Sequence, residues 1–209
     1  MDGREAIEYI LNYNIQGALV ECGVDQGAQP FLWIQTLLQH NCTDRDIYLY
    51  DTFTGMTEPT DDDYSVTDSL MYHCTAQQVR YEWQKQQRDD HNEWCYGSLE
   101  QVQHNLYQTS YPRDKIHFIK GDVSDTLRIK ENIPDQIALL RMDTDWYESS
   151  KLEMNVLYPH VVKNGVVIMD DYYHWNGQRK ATDEYLREHQ LNYTVHRVNA
   201  KVGAFIKNN

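Results

Sequence analysis

The stretch IALLRMDTDWYESS, residues 137–150, decides the fold that we predict for this chain. It opens with a mostly apolar run of strand length and then places two carboxylates one residue apart. After a helical segment, GVVIM at residues 165–169 repeats the pattern and also ends in two acids. Ligands of an open parallel sheet bind at the carboxyl ends of its strands, so these acids should surround one small space. The four acids are Asp143, Asp145, Asp170 and Asp171.

Carboxylates at the ends of two neighbouring strands indicate a divalent-metal site. Crowded carboxylates repel one another and take up protons unless a cation lies among them, and oxygen ligands suit Mg²⁺, Ca²⁺ or Mn²⁺. The alternative is helix capping, and it applies best to Asp145 because Asp is frequent near helix starts. His174, three residues after Asp171, is a candidate base or an ordinary polar surface residue.

Composition excludes several classes of partner. The formal net charge is −13 without a Lys/Arg cluster, which argues against binding to nucleic acid or to an anionic membrane. No apolar run approaches the length of a membrane span. The four cysteines show no CxxC spacing, so we expect no zinc site and no redox pair. We therefore expect a reduced, cytoplasmic protein.

The remaining patterns extend the sheet around the central strand. Residues 4–13 predict an entry helix, and Pro30 is expected at the first position of a second helix. The apolar face of that second helix should comprise Phe31, Ile34, Leu37 and Leu38. Strands are predicted at 18–24, 46–51, 116–122, 137–143 and 166–171, followed by a hairpin of 193–198 and 202–206. So short a link between the last two strands requires antiparallel pairing, which predicts a doubly wound, mostly parallel α/β sheet with one reversed strand.

The connection between the second and third strands is too long for a plain crossover. Ser98 and Gln101 form a capping-box pattern, so the crossover helix should begin there. Residues 57–97 before it are polar and rich in aromatic residues, and we interpret them as a helical lid inserted into a single domain of residues 1–209. The aromatic residues noted are Tyr72, Tyr81, Trp83, Trp94 and Tyr96.

Three further signals favour a nucleotide-like ligand. Glu21-Cys-Gly23, followed by Gly27, comes directly after the first strand, where glycines let the backbone approach a ligand closely, although an ordinary tight turn has the same pattern. Asp51 ends the second strand, where an acid can bind a ribose diol or merely cap the surface. Asp122 ends the third strand, where it could contact a base amine or simply begin a turn.

Together these motifs resemble the macrocin O-methyltransferase family. The matching stretches are VECGV at 20–24, DTFTGM at 51–56, KGDVSDTL at 120–127, LLRMDTDWYES at 139–149 and DDY at 170–172. Members use S-adenosylmethionine and a divalent metal to methylate sugar hydroxyls. The resemblance implies a Rossmann-like class I methyltransferase fold and a sugar-containing small-molecule acceptor, and it allows a homo-oligomer.

The resemblance also implies roles for individual residues. Asp143, Asp170 and Asp171 should bind Mg²⁺ or another hard divalent cation, with Asp143 as the base and His174 as the competing candidate. Glu21, Gly23 and Gly27 should contact the methionine end of the cofactor, Asp51 its ribose, and Asp122 its adenine. The full set expected to bind the cofactor is Glu21, Cys22, Gly23, Gly27, Asp51, Thr52, Phe53, Ser98, Asp122, Val123 and Asp143.

Two positions favour the sugar-specific branch over catechol-type methyltransferases. Those enzymes have a lysine three residues after the first metal aspartate, where this chain has Trp146, and usually an asparagine where it has Asp171. Ala28 replaces a second glycine of the family, which a small residue should tolerate. The alternatives are methylation of a catechol-like or other small-molecule hydroxyl, a non-catalytic S-adenosylmethionine-binding protein, a nicotinamide dehydrogenase and a metal-dependent phosphoesterase.

Overall fold

A computed structural model of the protein describes residues 1–66 and 74–208. The helices are α1 (Gly3–Asn12), α2 (Ala28–Gln39), α3 (Ala76–Gln86), α4 (Leu99–Tyr107), α5 (Val123–Thr126), α6 (Tyr147–Val156) and α7 (Asn176–Glu188). The strands are β1 (Ala18–Cys22), β2 (Ile47–Asp51), β3 (Ile116–Lys120), β4 (Ile137–Met142), β5 (Val161–Met169), β6 (His196–Arg197) and β7 (Gly203–Ile206). Single 3-10 turns occupy Arg113–Lys115, Lys130–Asn132 and Tyr158–His160.

The seven strands form one sheet in the order β3-β2-β1-β4-β5-β7-β6. The first five are parallel, and β7 runs antiparallel to both of its neighbours. This arrangement confirms the predicted doubly wound sheet with one reversed strand. Every residue of β1 and β4 is buried, because helices cover both faces of the sheet at its centre.

Two local predictions needed correction. Strand β5 begins at Val161 rather than at residue 166. The prediction was too short because the polar residues Lys163 and Asn164 interrupt the apolar pattern, whereas a register shift preserves the pairing of β5 with β4. Helix α2 begins at Ala28 after Gly27, whose φ of 84° is left-handed, so Pro30 is its third residue and not its first. Phe31 on this helix is 40% exposed, whereas Trp33 on the opposite face is fully buried.

The insertion between β2 and α4 contains α3 and packs over the carboxyl edge of the sheet. Val79 of α3 is buried against Trp146 and Trp175, which belong to the loops after β4 and β5. Tyr72, predicted to be part of the lid, lies outside the described residues.

The Ser98 hydroxyl caps α4 by accepting a hydrogen bond from the Gln101 amide at 3.2 Å, but the Gln101 side chain bonds Asn105 instead of completing the predicted capping box. Among the described residues, none of the helices has the length and apolar character needed to cross a membrane.

Candidate functional site

One cavity of about 920 Å³ lies at the carboxyl edge of the sheet. Its volume is typical of pockets for small molecules and cofactors. The predicted site residues that line it are Gly23, Asp51, Thr52, Asp122, Val123, Asp143, Asp170, Asp171 and His174. The parallel order of β3, β2, β1, β4 and β5 brings their ends together, so residues from distant parts of the sequence share this space.

The other predicted cofactor residues lie behind the cavity wall. Cys22 and Phe53 are buried in the hydrophobic core. Gly27 and Ser98 occupy the N-caps of α2 and α4. Glu21 is 1% exposed; its Oε1 pairs with Arg141 of β4, and its Oε2 has no hydrogen-bond partner among the described residues. Their placement supports the turns that border the cavity, and their roles towards a cofactor remain predictions.

Asp51 joins the end of β2 to the glycine turn that follows β1. Its Oδ2 accepts hydrogen bonds from the amides of Val24 at 2.6 Å and Asp25 at 3.3 Å, while Oδ1 accepts one from the amide of Phe53 at 2.7 Å. Burial raises the pKa of the Asp51 carboxyl, and these amide donors oppose the rise. The carboxylate is therefore fixed at the cavity wall by the backbone around it.

Asp122 follows the end of β3, two residues after Lys120. Its side chain accepts a hydrogen bond from the amide of Ser124 at 2.7 Å and so caps the short helix α5. Asp122 thus begins a turn, as one of the two interpretations predicted, and it also lines the cavity.

A buried arginine, to which the sequence analysis gave no role, organises the acids. Arg141 of β4 is 5% exposed, and its guanidinium contacts Glu21 at 2.5 Å, Asp143 at 2.8 Å and Asp170 at 2.7 Å. Burial raises the pKa of Glu21 to about 8, although the adjacent guanidinium opposes this rise. A charged residue inside the apolar run of β4 was the sequence signal for this centre, because buried charges are almost always paired.

Three acids form a cluster beside this arginine. One carboxylate oxygen each from Asp143, Asp145 and Asp171 lies within 4.8 Å of the others. Burial raises the pKa of the Asp143 and Asp145 carboxyls, and the neighbouring acids raise them further. Burial raises the pKa of the Asp171 carboxyl as well, so this crowded cluster favours protonation in the absence of a cation.

The capping interpretation of Asp145 was wrong. The N-cap of α6 is Trp146, and no side chain at that position caps the helix. Asp145 itself is 7% exposed, has a left-handed φ of 64°, and turns its carboxylate towards Asp171. Asp170, by contrast, directs Oδ1 to Arg141. The sequence placed all four acids at one edge of the sheet but did not indicate which carboxylates face one another.

The acid cluster has the chemistry of a hard divalent-cation site. Oδ1 of Asp171 is buried and has no hydrogen-bond partner within the described residues, and the nearest amine, Nζ of Lys201, is 3.8 Å away. A cation between these carboxylates would offset their repulsion. The donor set therefore fits Mg²⁺ or Mn²⁺ better than it fits a soft metal.

His174 lies at the rim of the acid cluster. Burial lowers the pKa of its imidazole and nearby Lys201 lowers it further, whereas Asp171 opposes both effects. The ring packs edge-on against Trp175 at 4.5 Å between centroids. A neutral imidazole beside the acids could accept a proton.

Buried side chains of α6 and α7 hold the acidic loops in place. Gln178 is fully buried, donates a hydrogen bond to the carbonyl of Met142 at 3.0 Å, and accepts one from the amide of Asp171 at 2.7 Å. Glu153, also fully buried, accepts a hydrogen bond from the hydroxyl of Thr144 at 2.8 Å. The sequence analysis missed both residues, because a polar residue within an amphipathic helix has no distinguishing local signal.

Indole rings form the wall of the cavity opposite the strands. The centroid of Trp94, from the insertion, lies 5.8 Å from that of Trp146 and 6.4 Å from that of Trp175. Trp146 and Trp175 are themselves 5.4 Å apart, and all three line the cavity. The acid cluster therefore lies beside an aromatic surface to which the insertion contributes.

The strand order, the glycine turn after β1 and the acid that ends β2 define a class I methyltransferase fold. The solved structure of the O-methyltransferase NovP has the same fold, with a TM-score of 0.82 and 26% identity over 99% of this chain and 78% of that chain. The family model of macrocin-O-methyltransferase (TylF) matches residues 2–207, so the chain belongs to this family, which confirms the resemblance inferred from its motifs.

Two curated relatives are similar over most of the chain. Demethyldecarbamoylnovobiocin O-methyltransferase from Streptomyces niveus is 30% identical over 182 residues, which are 87% of this chain and 63% of the relative. An 8-demethyl-8-(2,3-dimethoxy-alpha-L-rhamnosyl)-tetracenomycin-C 4'-O-methyltransferase from Streptomyces olivaceus is 30% identical over 167 residues, which are 79% of this chain and 57% of the relative. The matched region thus spans about 60% of the length of these relatives.

Proposed function

We propose that this protein is an S-adenosylmethionine-dependent O-methyltransferase that acts on a hydroxyl group of a sugar or glycosylated small molecule and uses Mg²⁺ or another hard divalent cation. The observation that carries the proposal is the single cavity that joins Asp51 and Asp122 to the acid cluster. Family membership supports it, as do relatives whose names describe methylation of glycosylated natural products. A nicotinamide dehydrogenase would have no use for the acid cluster, and a phosphoesterase would have none for the half of the cavity that contains Asp51.

The cofactor half of the cavity fits S-adenosylmethionine. Oε2 of Glu21 is buried without a hydrogen-bond partner among the described residues and lies beside the glycine turn, so it can accept a hydrogen bond from an ammonium group. Asp51 is an acceptor for a ribose diol, and Asp122 is an acceptor for an adenine amine. The three carboxyl groups are spaced along β1, β2 and β3, which suits an elongated ligand lying across the strand ends.

The acid half of the cavity supplies the chemistry of the acceptor. Asp143 and Asp171 belong both to the predicted metal triad and to the observed cluster, and we assign them as ligands. We assign Asp170 as the third ligand, as predicted. Arg141 contacts its Oδ1, which leaves Oδ2 as the oxygen that could bind a cation. When bound, S-adenosylmethionine would supply an activated methyl group, and a divalent cation held by these acids would lower the pKa of a nearby hydroxyl group.

The chain itself must orient the acceptor and take up its proton. Asp143 lies where the cofactor half and the acid half meet, and we assign it as the base; His174, at the rim, is the competing candidate. The indoles of Trp94 and Trp175 offer apolar surface to the face of a sugar ring and exclude water from the acids. Holding the two reactants in line accounts for most of the catalysis that such a site requires.

The test is cofactor binding followed by methyl transfer. Calorimetry should detect binding of S-adenosylhomocysteine and no binding of a reduced nicotinamide cofactor. Labelled S-adenosylmethionine should then transfer its methyl group to members of a panel of nucleotide sugars and glycosylated metabolites. Exhaustive chelation should abolish transfer, and Mg²⁺ should restore it. Nicotinamide binding without S-adenosylhomocysteine binding would overturn the proposal, and full activity after chelation would remove the metal from it.

A further inference from the structure

The insertion contains a carboxylate that is completely buried and belongs to no part of the cavity chemistry. Asp63 is 0% exposed. Its Oδ2 accepts hydrogen bonds from the amide of Thr60 at 2.7 Å and the Thr60 hydroxyl at 2.8 Å. Its Oδ1 accepts a hydrogen bond from the amide of Tyr147 at 2.8 Å, across 84 residues of sequence. A buried carboxylate that bonds so distant a backbone amide joins two segments that local sequence cannot bring together.

The amide of Tyr147 has a specific need for this partner. Tyr147 is the first residue of α6, and the first amides of a helix have no partner within the helix. Trp146, at the N-cap, provides no side-chain acceptor. Asp63 therefore caps α6 from the insertion, and its negative charge lies at the positive end of the helix dipole. The capped residue directly follows the loop that contains Asp143 and Asp145.

The same segment also binds the second acidic loop. The amide of Val66 donates to the carbonyl of His174 at 2.8 Å, and the amide of Asn176 donates to the carbonyl of Tyr64 at 2.8 Å. The indole of Trp146 in the first loop donates to the carbonyl of Thr57 at 2.9 Å. Residues 57–66, here called the clasp, thus hold the loops after β4 and β5 at once.

Gly177 shows how closely the clasp approaches α7. A Cβ built on Gly177 would lie 2.0 Å from Oδ1 of Asp63 and 2.6 Å from the amide nitrogen of Tyr147. Real side chains do not tolerate such distances, so any larger residue at this position must displace the carboxylate or α6. The bond between Asp63 and Tyr147 therefore requires that residue 177 have no side chain.

We propose that Asp63 is a positioning residue that fixes the two acidic loops relative to each other, with the clasp as a permanent part of the site rather than a moving part of the lid. The function of those loops rests on the proposed methyltransferase activity, whereas the positioning itself does not. Loss of the Asp63 contact should loosen residues 143–149 and 171–177 and leave the cofactor half of the cavity intact.

The experiment compares two variants that disrupt the contact by different means. Asp63→Asn keeps the shape, but its amide group must face a backbone N–H of either Thr60 or Tyr147, so one donor loses its acceptor. Gly177→Ala keeps the charge and displaces Asp63 or the start of α6 by steric overlap, and either displacement breaks the bond between Asp63 and Tyr147. Asp61→Asn is the matched control, because it makes the same charge change on a side chain that is 92% exposed. Thr60→Val is a milder variant that removes the hydroxyl, which donates to Asp63 at 2.8 Å and accepts from the amide of Asp62 at 3.3 Å.

Hydrogen exchange by mass spectrometry provides the primary measurement, with S-adenosylhomocysteine present to maintain folding. Amide exchange in residues 143–149 and 171–177 should accelerate by about tenfold or more in Asp63→Asn and Gly177→Ala, the factor expected from losing one charge-assisted hydrogen bond. Thr60→Val should give a smaller increase and Asp61→Asn none. Unchanged exchange in both loops of either folded disruptive variant would overturn the proposal, and if neither variant folds, unchanged exchange in Thr60→Val would do so.

A binding measurement separates positioning from general destabilisation. Mn²⁺ affinity, followed by electron paramagnetic resonance, should fall by about tenfold in the two disruptive variants while S-adenosylhomocysteine affinity stays within about twofold of the parent protein. Equal losses of both affinities would indicate a merely structural role and refute the inference. If the parent protein binds no Mn²⁺, the metal part of the proposed function fails, and the exchange comparison still decides the role of Asp63.

Discussion

Replacing Arg141 by methionine should destabilise the protein strongly and in a pH-dependent manner. The guanidinium is buried and contacts three carboxylates, those of Glu21, Asp143 and Asp170, so its removal leaves several acids without compensation. Breaking a buried ion pair by removing one partner costs about 3–5 kcal/mol. In a domain of this size, each kcal/mol lowers Tm by about 2–4 °C, so the expected loss in Tm is about 6–20 °C.

The pH dependence follows from the direction of the pKa shifts. Burial already raises the pKa of Glu21 to about 8 with Arg141 present, and removal of the guanidinium raises it further. An acid with a raised pKa in the folded state binds more protons there than in the unfolded state, so stability falls as pH rises from its unfolded pKa towards its folded pKa. Below about pH 8 Glu21 is protonated in both folded proteins and adds little to the difference between them, so the deficit of Arg141→Met should grow as pH rises above about 8 and be smaller near about pH 6.

Thermal unfolding monitored by circular dichroism in the presence of a chelator tests this expectation. Arg4→Met is the matched control, because Arg4 forms an exposed pair with Glu8 on α1 and its loss should change the free energy of unfolding by at most about 0.5 kcal/mol. A second variant, Arg141→Met with Glu21→Gln, should recover part of the loss by removing one unpaired acid. A Tm for Arg141→Met close to that of the parent at the higher pH, or a deficit that grows on acidification, would refute the reasoning.

Two further predictions concern the ligands. Asp51→Ala should weaken S-adenosylhomocysteine binding by roughly 1.5–3 kcal/mol for each charge-assisted hydrogen bond removed, and an unchanged affinity by calorimetry would contradict the assignment of β2. Asp143→Asn should remain nearly inactive at saturating Mg²⁺ while retaining cofactor binding, because added metal does not replace a lost base. His174→Ala should lose less activity, and the reverse pattern in steady-state kinetics would move the base to His174.

The resemblance predicted the family, and local patterns predicted the sheet, for physical reasons visible in particular strands. Strand β4 is an uninterrupted buried strand, and its apolar run appears directly in the sequence. The short link between β6 and β7 leaves only antiparallel pairing. Strand β5 was predicted too short, because Lys163 and Asn164 face solvent in a strand whose pairing depends on its neighbour. Periodicity thus reports which residues are buried, and it fails where backbone pairing alone extends a strand.

By itself, the sequence determined that acids end β2, β3, β4 and β5, and a parallel sheet necessarily places them along one edge. Only the tertiary structure decided what each acid faces. Asp170 pairs with Arg141 while Asp145 turns to Asp171, and Asp63 caps a helix 84 residues away. The positions of the strand ends follow from hydrophobic burial, and the local pattern of apolar residues predicts which residues are buried. The pairing of a carboxylate depends on rotamers and donors supplied by remote segments, and no local pattern records them.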